Sequence, residues 1–152
     1  MNSSSQARLQ KVHPELAKRV TDLIETLQGE GMQVEVVQGL RTFEEQNALF
    51  AQGRTKPGKI VTRAKGGQSN HNYGLAVDLC PFVNGQPQWN DEGGFKRIGD
   101  EAKTRGLEWG GDWKKFPDTP HVQLPGLTVN QCLALFNDGG LDKVWSNVPG
   151  LA

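Results

Sequence analysis

Residues 69–78 read SNHNYGLAVD, and the chain from 73 to 80 has the alternation of a β-strand. The apolar face of that strand would carry Leu75, Val77 and Leu79. Asp78 falls on the opposite face, where a buried carboxylate must be paired, bound to a cation or protonated, because an isolated buried charge is costly. Gly74 lets the chain bend, so His71 on the preceding loop can approach Asp78. The stretch therefore predicts a strand that brings a histidine and a carboxylate together.

A second polar segment, DTPH at residues 118–121, supplies another carboxylate and another histidine. Pro120 restricts its own φ and disfavours helix at the preceding residue, so Asp118 and His121 are not expected to share a helix. A short strand is predicted from His121 to Leu124, before the Pro-Gly pair that stops it.

These two segments offer three candidate metal ligands, namely His71, Asp78 and His121. A catalytic zinc ion usually takes three nitrogen, oxygen or sulfur ligands from the protein, which leaves a fourth position for water. The chain has three histidines, and two of them lie in these segments. Spacing alone leaves open that both are ordinary surface or core residues.

The two segments also resemble the signature of a known peptidase family. The matching string is Ser69-x-His71-x-x-Gly74-x-Ala76-x-Asp78, followed by Asp118-x-x-His121. The family comprises zinc D,D-carboxypeptidases and L-alanyl-D-glutamate endopeptidases, which cut peptidoglycan stem peptides. Further segments extend the resemblance over most of the chain: VHPEL at 12–16, GLRT at 39–42 with Gln46, AKGGQS at 64–69 and WGGDWK at 109–114. The last of these is most similar to the endopeptidase branch, which includes phage endolysins.

The resemblance implies a role for each polar residue of the signature. The implied zinc ligands are His71, Asp78 and His121. Asp118 would be the general base, and Arg41 would stabilise developing negative charge. The better-known D,D-dipeptidases carry glutamate where this chain has Asp118, and the shorter acid belongs to the endopeptidase branch. Ser69, inside the signature, and Trp113, on the loop that leads to Asp118, are predicted to bind substrate.

Arg41 has two interpretations from the residues alone. It follows an apolar run, residues 34–40, that predicts a strand, so its side chain could point from the strand end into a cleft. It also precedes Glu44 and Glu45 at a predicted helix start, where it could form an ordinary salt bridge. The family pattern favours the cleft.

Length and composition limit the number of domains and the classes of function that the chain can have. A chain of 152 residues is most simply a single zinc peptidase domain, residues 1–152, with no separate module that binds the cell wall. The 17 basic and 17 acidic residues balance, so nucleic-acid binding is not expected. Cys80 and Cys132 form neither a disulfide framework nor a cysteine-rich zinc site. A monomer is expected, and groove-lining candidates among the aromatic residues are Tyr73, Trp89, Trp109 and Trp113.

No targeting segment is expected. The first ten residues are polar, and no run approaches the roughly 20 apolar residues of a membrane span. Without a signal peptide the protein would be cytoplasmic on synthesis in its host and would act on the wall after release. That route predicts a phage or prophage origin.

The patterns predict an α+β fold with a small central antiparallel sheet flanked by helices. Expected elements are helices at 14–27, 42–51, 93–105 and 128–138, a further turn at 142–145, a loop at 53–68, a turn at Asn84-Gly85, and strands at 34–40, 73–80, 107–109 and 121–124.

Three functions remain open at this point. The leading hypothesis is a zinc-dependent L-alanyl-D-glutamate endopeptidase that lyses the wall. A D,D- or L,D-carboxypeptidase of peptidoglycan would use the same catalytic residues and differ in a pocket for the substrate's terminal carboxylate. A noncatalytic peptidoglycan-binding domain on the same scaffold is the third hypothesis. Retention of both Asp118 and Arg41 argues against it, because binding alone requires neither.

Overall fold

A computed structural model describes residues 1–151 of the chain. In chain order, the helices are α1 (Ser3–Leu9), α2 (Pro14–Gly29), α3 (Phe43–Ala51), α4 (Glu92–Thr104) and α5 (Val129–Trp145). The strands are β1 (Gln33–Gln38), β2 (Ala76–Val83), β3 (Gln86–Pro87), β4 (Glu108–Trp109) and β5 (His121–Gln123). Short 3₁₀ turns lie at Asn70–Tyr73 and Gly110–Asp112.

The strands form one antiparallel sheet in the order β1-β2-β5-β4, with β3 paired to the end of β2. The predicted α+β class and the small antiparallel sheet are therefore confirmed. Asp78 lies on the central strand, opposite Gln38 of β1 on one side and opposite His121 of β5 on the other. This register brings the two polar segments together.

Helix α2 supplies much of the core. Its predicted apolar stripe is buried, and it consists of Leu16, Val20, Leu23 and Leu27. The stripe packs against β1 and α4. Truncating one such buried leucine to alanine typically costs 2–5 kcal/mol, so this layer is a main source of stability.

Several ends of helices and strands lie where local sequence patterns predicted them. Thr42 and Glu45 form the capping box at the start of α3. Asn84 and Gly85 both have positive φ, +51° and +76°, as a tight hairpin turn between β2 and β3 requires. The C-terminal helix breaks at Gly139 and Gly140, where the sequence predicted its end.

Two predictions of strand limits were wrong. The strand predicted at 73–80 starts at Ala76 instead, because residues 70–73 form a 3₁₀ turn that ends at Gly74 with φ +66°. The first strand ends at Gln38 rather than at residue 40, after an irregularity in its pairing with β2. Both differences lie next to the polar segments, where the chain turns toward Asp78.

Helix α1 was missed by the sequence patterns because its support is distant along the chain. Glu35 of β1 is 1% exposed, and its carboxylate accepts hydrogen bonds from the Asn2 amide (2.7 Å) and the Ser5 hydroxyl (2.9 Å). These bonds hold a polar N-terminal segment on the sheet. Within residues 1–151, no helix has the length and apolar character needed to cross a bilayer.

Candidate active site

Three side chains from three different elements converge beside the middle of the sheet. His71 comes from the 3₁₀ turn, Asp78 from β2 and His121 from β5. The Nε2 atom of His71 is 3.2 Å from Oδ1 of Asp78, and Nδ1 of His121 is 3.6 Å from the same oxygen. All three candidate ligand atoms lie within 4.8 Å of one another. Three donor atoms this close together can share a single cation.

The spacing suits a small tetrahedral cation. Zinc lies about 2.0–2.2 Å from imidazole nitrogen and carboxylate oxygen, which separates neighbouring ligands by about 3.3–3.5 Å. The observed 3.2 and 3.6 Å bracket that range. Within the described residues, Oδ1 of Asp78 is also one of the two buried side-chain oxygens that have no hydrogen-bond partner. A divalent metal would satisfy it, and two imidazoles with one carboxylate form a typical donor set for zinc.

Hydrogen bonds fix which nitrogen of each histidine faces Asp78. Nδ1 of His71 lies 3.0 Å from the Gly39 carbonyl, which can only accept, so Nδ1 carries the proton and Nε2 is free. Nε2 of His121 donates to Oε1 of Gln123 at 2.7 Å, which leaves its Nδ1 free. Burial, and secondarily the nearby His71, lower the pKa of His121 to about 4. At neutral pH His121 therefore turns an unprotonated Nδ1 toward Asp78. The bond to the Gly39 carbonyl orients the His71 ring so that its Nε2 faces the same carboxylate.

Gln123 is a residue that the sequence analysis missed. Its Oε1 also accepts from Nδ2 of Asn70 (2.7 Å), and its Nε2 donates to Glu108 (2.9 Å). These bonds hold the amide in the orientation that accepts from His121. Because residues two apart on a strand share a face, its position two after His121 was the available signal.

Replacing Gln123 by leucine should weaken divalent-metal binding by about 10- to 100-fold, the usual effect of losing a group that orients a ligating histidine. Titration calorimetry of Zn²⁺ into the metal-free protein would measure it. Gln88→Leu, in the loop after β3, should leave the affinity unchanged. Equal affinity in Gln123→Leu and the parent would show that the bond does not position His121.

Asp118 lies beside the proposed ligands without joining their cluster. Its Oδ2 is 3.8 Å from Nδ1 of His121, and its side chain is 48% exposed. Burial of the carboxylate at the cavity wall, followed by the negative charge of Asp78, raises the pKa of Asp118 to about 6. A carboxylate with such a pKa is ionised at pH 7 and accepts a proton more readily than an ordinary aspartate.

The backbone holds Asp118 in place. Its amide donates to the Gly110 carbonyl (2.9 Å), and its carbonyl accepts from the His121 amide (3.1 Å). A Cβ at Gly110 would collide with the Asp118 carbonyl oxygen. The indole of Trp109, packed against Gly99 and Gly111, donates to the Thr119 carbonyl (2.7 Å). The loop before β5 is therefore anchored at Asp118 and Thr119 by the segment from Trp109 to Gly110.

Arg41 points toward the cluster. Its Nη2 is 4.0 Å from Oδ2 of Asp78, and its Nη1 donates to Oε1 of Gln46 at 2.8 Å. Gln46 is fully buried and donates in turn to the Ala64 carbonyl (2.8 Å). Within residues 1–151, Arg41 forms no ion pair with Glu44 or Glu45. The Arg41 side chain therefore points into the cleft, and it does not form the salt bridge at the start of α3 that was the alternative.

One cavity of about 460 Å³ is lined by all the residues that were predicted to be catalytic, to bind metal or to bind substrate. These residues are Arg41, Ser69, His71, Asp78, Trp113, Asp118 and His121. The Ser69 hydroxyl accepts from the His71 amide at 3.2 Å, so Ser69 also shapes the turn that carries this candidate ligand. The Trp113 ring lies 5.0 Å from the His121 ring.

The other groove candidates lie elsewhere. Tyr73 and Trp109 are buried in the core, and Trp89 is exposed and stacks on Phe95. Cys80 is buried and outside the ligand cluster, which agrees with a small apolar role.

A family model described as D-alanyl-D-alanine carboxypeptidase matches residues 62–124, which include all three candidate ligands and Asp118. The peptidoglycan L-alanyl-D-glutamate endopeptidase CwlK of Bacillus subtilis is 40% identical over 122 residues, 74% of this chain and 73% of that protein. The L-alanyl-D-glutamate peptidase of a Listeria phage is 29% identical over 126 residues, 80% of this chain and 41% of that protein.

Solved structures share the fold. The L-Ala D-Glu endopeptidase ChiX of Serratia marcescens superposes with a TM-score of 0.62 at 24% identity, over 91% of each chain. The vancomycin resistance D,D-pentapeptidase VanY, solved in complex with Zn(II), gives a TM-score of 0.57 at 18% identity, over 84% of this chain and 80% of that one.

Proposed function

Since this chain belongs to the D-alanyl-D-alanine carboxypeptidase family of peptidases, we propose that it is a zinc-dependent endopeptidase that cuts the L-alanyl-D-glutamate bond of peptidoglycan stem peptides. The observation that carries the proposal is the convergence of His71, Asp78 and His121 in one cavity with Asp118 beside them. Identity of 40% to a relative named as a peptidoglycan L-alanyl-D-glutamate endopeptidase supports the choice of bond.

In the proposed mechanism, each polar residue has a separate task. His71, Asp78 and His121 would hold the zinc ion, which when bound acts as a Lewis acid and makes water a better nucleophile. Asp118 takes a proton from the attacking water and hands it to the leaving amine. Its raised pKa, about 6, suits a group that first accepts a proton and then donates it. Arg41, oriented by Gln46, stabilises the negative charge that develops on the carbonyl oxygen, a contribution of roughly 3–4 kcal/mol for one well-placed donor.

A peptidoglycan carboxypeptidase is the second candidate, because the matching family model carries that description. It would use the same catalytic residues and remove only the terminal D-amino acid. Purified sacculi treated with the protein and analysed by mass spectrometry of the released muropeptides separate the two. The endopeptidase leaves L-alanine on the glycan and releases peptides that begin with D-glutamate. Release of D-alanine alone would overturn the proposal in favour of the carboxypeptidase.

Attraction to the wall is expected to come from the surface of this domain. From Gln46 to Val77 the chain has no acidic residue, whereas it contains the basic residues Arg54, Lys56, Lys59, Arg63 and Lys65. The three lysines are exposed on the loop beside the cavity. In a protein of zero net charge, such a local excess of positive charge favours an anionic polymer.

Removing positive charge from this loop should therefore slow hydrolysis of the wall polymer and leave hydrolysis of a small soluble substrate unchanged. The triple change of Lys56, Lys59 and Lys65 to glutamine should lower the lysis rate of whole sacculi by about tenfold at low salt, and less at high salt. Cleavage of a short soluble peptide should not change. Lys11, Lys18 and Lys96 changed together to glutamine give the same loss of charge elsewhere and should have little effect. Equal loss on sacculi and peptide would mean that the loop shapes the active site instead.

A monomeric state and action on the wall after release from the host stay predictions. So does the assignment of all residues to one domain. Sedimentation analysis would test whether the protein is a monomer.

A further inference from the structure

A second cavity adjoins the candidate active site on the side of Asp118. Its volume is about 410 Å³, and two loops, residues 60–64 and 113–118, supply its lining. Both cavities share part of their walls, namely Val61, Thr62, Ala64, Trp113 and Asp118. The two cavities therefore form one continuous cleft, in which a substrate chain can extend past Asp118.

Exposed apolar side chains cluster around the second cavity. Within residues 1–151, five large hydrophobic side chains are exposed: Ile60, Val61, Val83, Trp89 and Phe116. Three of them, Ile60, Val61 and Phe116, line this cavity. Single exposed apolar residues need no explanation, but a cluster beside an active site marks a binding surface.

Phe116 is held in an unfavourable backbone conformation. Its φ is +55°, in the left-handed region that bulky side chains rarely adopt. The side chain is 55% exposed, so packing in the core does not explain why an aromatic residue stands there. Strained residues of this kind occur preferentially at binding and catalytic sites.

Arg63 completes the cavity with a positive charge. Its guanidinium lies 3.3 Å from the centre of the Phe116 ring, a stacked arrangement that joins the two loops. Lys115 also lines the cavity, and Asp118 is the one acid in the lining. Within the described part of the chain, neither Arg63 nor Lys115 forms an ion pair. The edges of a stacked guanidinium remain free to bind a carboxylate through two parallel hydrogen bonds.

The proposed substrate presents such a carboxylate next to the cleaved bond. Glutamate has two carboxyl groups beyond its amine, and only one of them can continue the peptide. We propose that the second cavity binds the D-glutamate on the amine side of the scissile bond, and that Arg63, stacked on Phe116, recognises its free carboxylate. This assignment rests on the proposed endopeptidase activity and makes Arg63 a specificity-determining residue.

Two synthetic stem peptides test the assignment. Both contain the L-Ala–D-Glu bond, and they differ only in whether the free carboxylate of glutamate is kept or replaced by its carboxamide. Steady-state kinetics are measured on the zinc-loaded parent, on Arg63→Gln and on Lys59→Gln. Lys59 is a matched control because it is exposed on the same loop, carries the same charge and lines neither cavity.

Arg63→Gln should raise KM for the carboxylate peptide by about tenfold, the effect of losing one charge-assisted contact, and leave kcat nearly unchanged. The amide peptide should have a high KM in the parent and be indifferent to Arg63→Gln. Lys59→Gln should change neither substrate. An equal effect of Arg63→Gln on both peptides, or an equal effect of the two variants, would overturn the subsite while leaving the endopeptidase in place. Failure of the parent to cleave either peptide would overturn the endopeptidase and the subsite together.

Phe116→Gly separates binding from folding. Glycine tolerates φ +55°, so the thermal midpoint of this variant should not fall. Its KM for the carboxylate peptide should nevertheless rise, because Arg63 loses the ring that orients it. An unchanged KM would count against the stacked pair as the recognition element.

Discussion

Replacing Asp118 by alanine should lower the rate of peptide-bond hydrolysis by about 10²- to 10⁴-fold, the usual range for removing a positioned acid–base group. Zinc and peptidoglycan binding should persist, because the carboxylate stands beside the ligand cluster and not within it. Asp118→Asn should behave alike, since the amide keeps the shape but cannot take the proton. Asp118→Glu should recover a little activity, because the longer acid keeps the proton affinity and misplaces the oxygen. Hydrolysis of a soluble stem peptide, with zinc content measured in parallel, gives the comparison.

A second aspartate of the same region provides the control. Asp112 is 52% exposed and pairs with Lys103 at 3.0 Å, outside the cavity lining. Asp112→Asn should therefore keep nearly full activity. Loss of zinc in Asp118→Ala would make this residue a ligand, and near-normal turnover would remove it from the mechanism. A noncatalytic binding domain predicts a different outcome, in which the parent hydrolyses nothing and the change leaves wall binding intact.

Removing the metal should abolish lysis and leave most of the fold. The purified protein is expected to contain about one Zn²⁺, since three protein ligands are typical of a catalytic site with an open position. The packing of α2 on β1 and α4 does not involve the ligands, so the circular-dichroism spectrum should change little after chelation. Added Zn²⁺ should restore lysis. Full activity in a chelator-treated, metal-free sample would contradict the proposed mechanism.

Two histidine variants separate metal binding from stability. His71→Ala removes a proposed ligand whose other nitrogen is bound to the Gly39 carbonyl, so zinc affinity should fall sharply. His13 is also buried, but its Nδ1 accepts from the Glu15 amide at the start of α2, and its ring packs against Trp145. His13→Ala should cost about 1 kcal/mol of stability, as the loss of a helix cap does, and leave zinc content unchanged. Metal loss in both variants would indicate general unfolding.

Local patterns in the chain were sufficient for much of the fold. The apolar stripe of α2, the capping box of Thr42 and Glu45 and the Asn84-Gly85 turn all depend on residues within a few positions of one another. Such signals act through hydrogen bonds and periodicity that a single segment contains. The resemblance of the signature around Gly74 to a peptidase family named the three candidate ligands, and the fold brings their donor atoms within 4.8 Å of one another.

Contacts between distant segments decided the rest. Helix α1 depends on the buried Glu35, and His121 meets Asp78 because β5 pairs with β2 in one particular register. Arg41 faces the cavity because its guanidinium lies 4.0 Å from Asp78 of β2 and is held by Gln46, whose own amide is fixed by the more distant Ala64 carbonyl. The residues in each of these contacts come from different segments of the chain, so no local sequence pattern can predict them. The contacts form only when the core packs and the strands align. The same is true of Arg63 and Phe116, which stack from two loops and form the second cavity only in the folded chain.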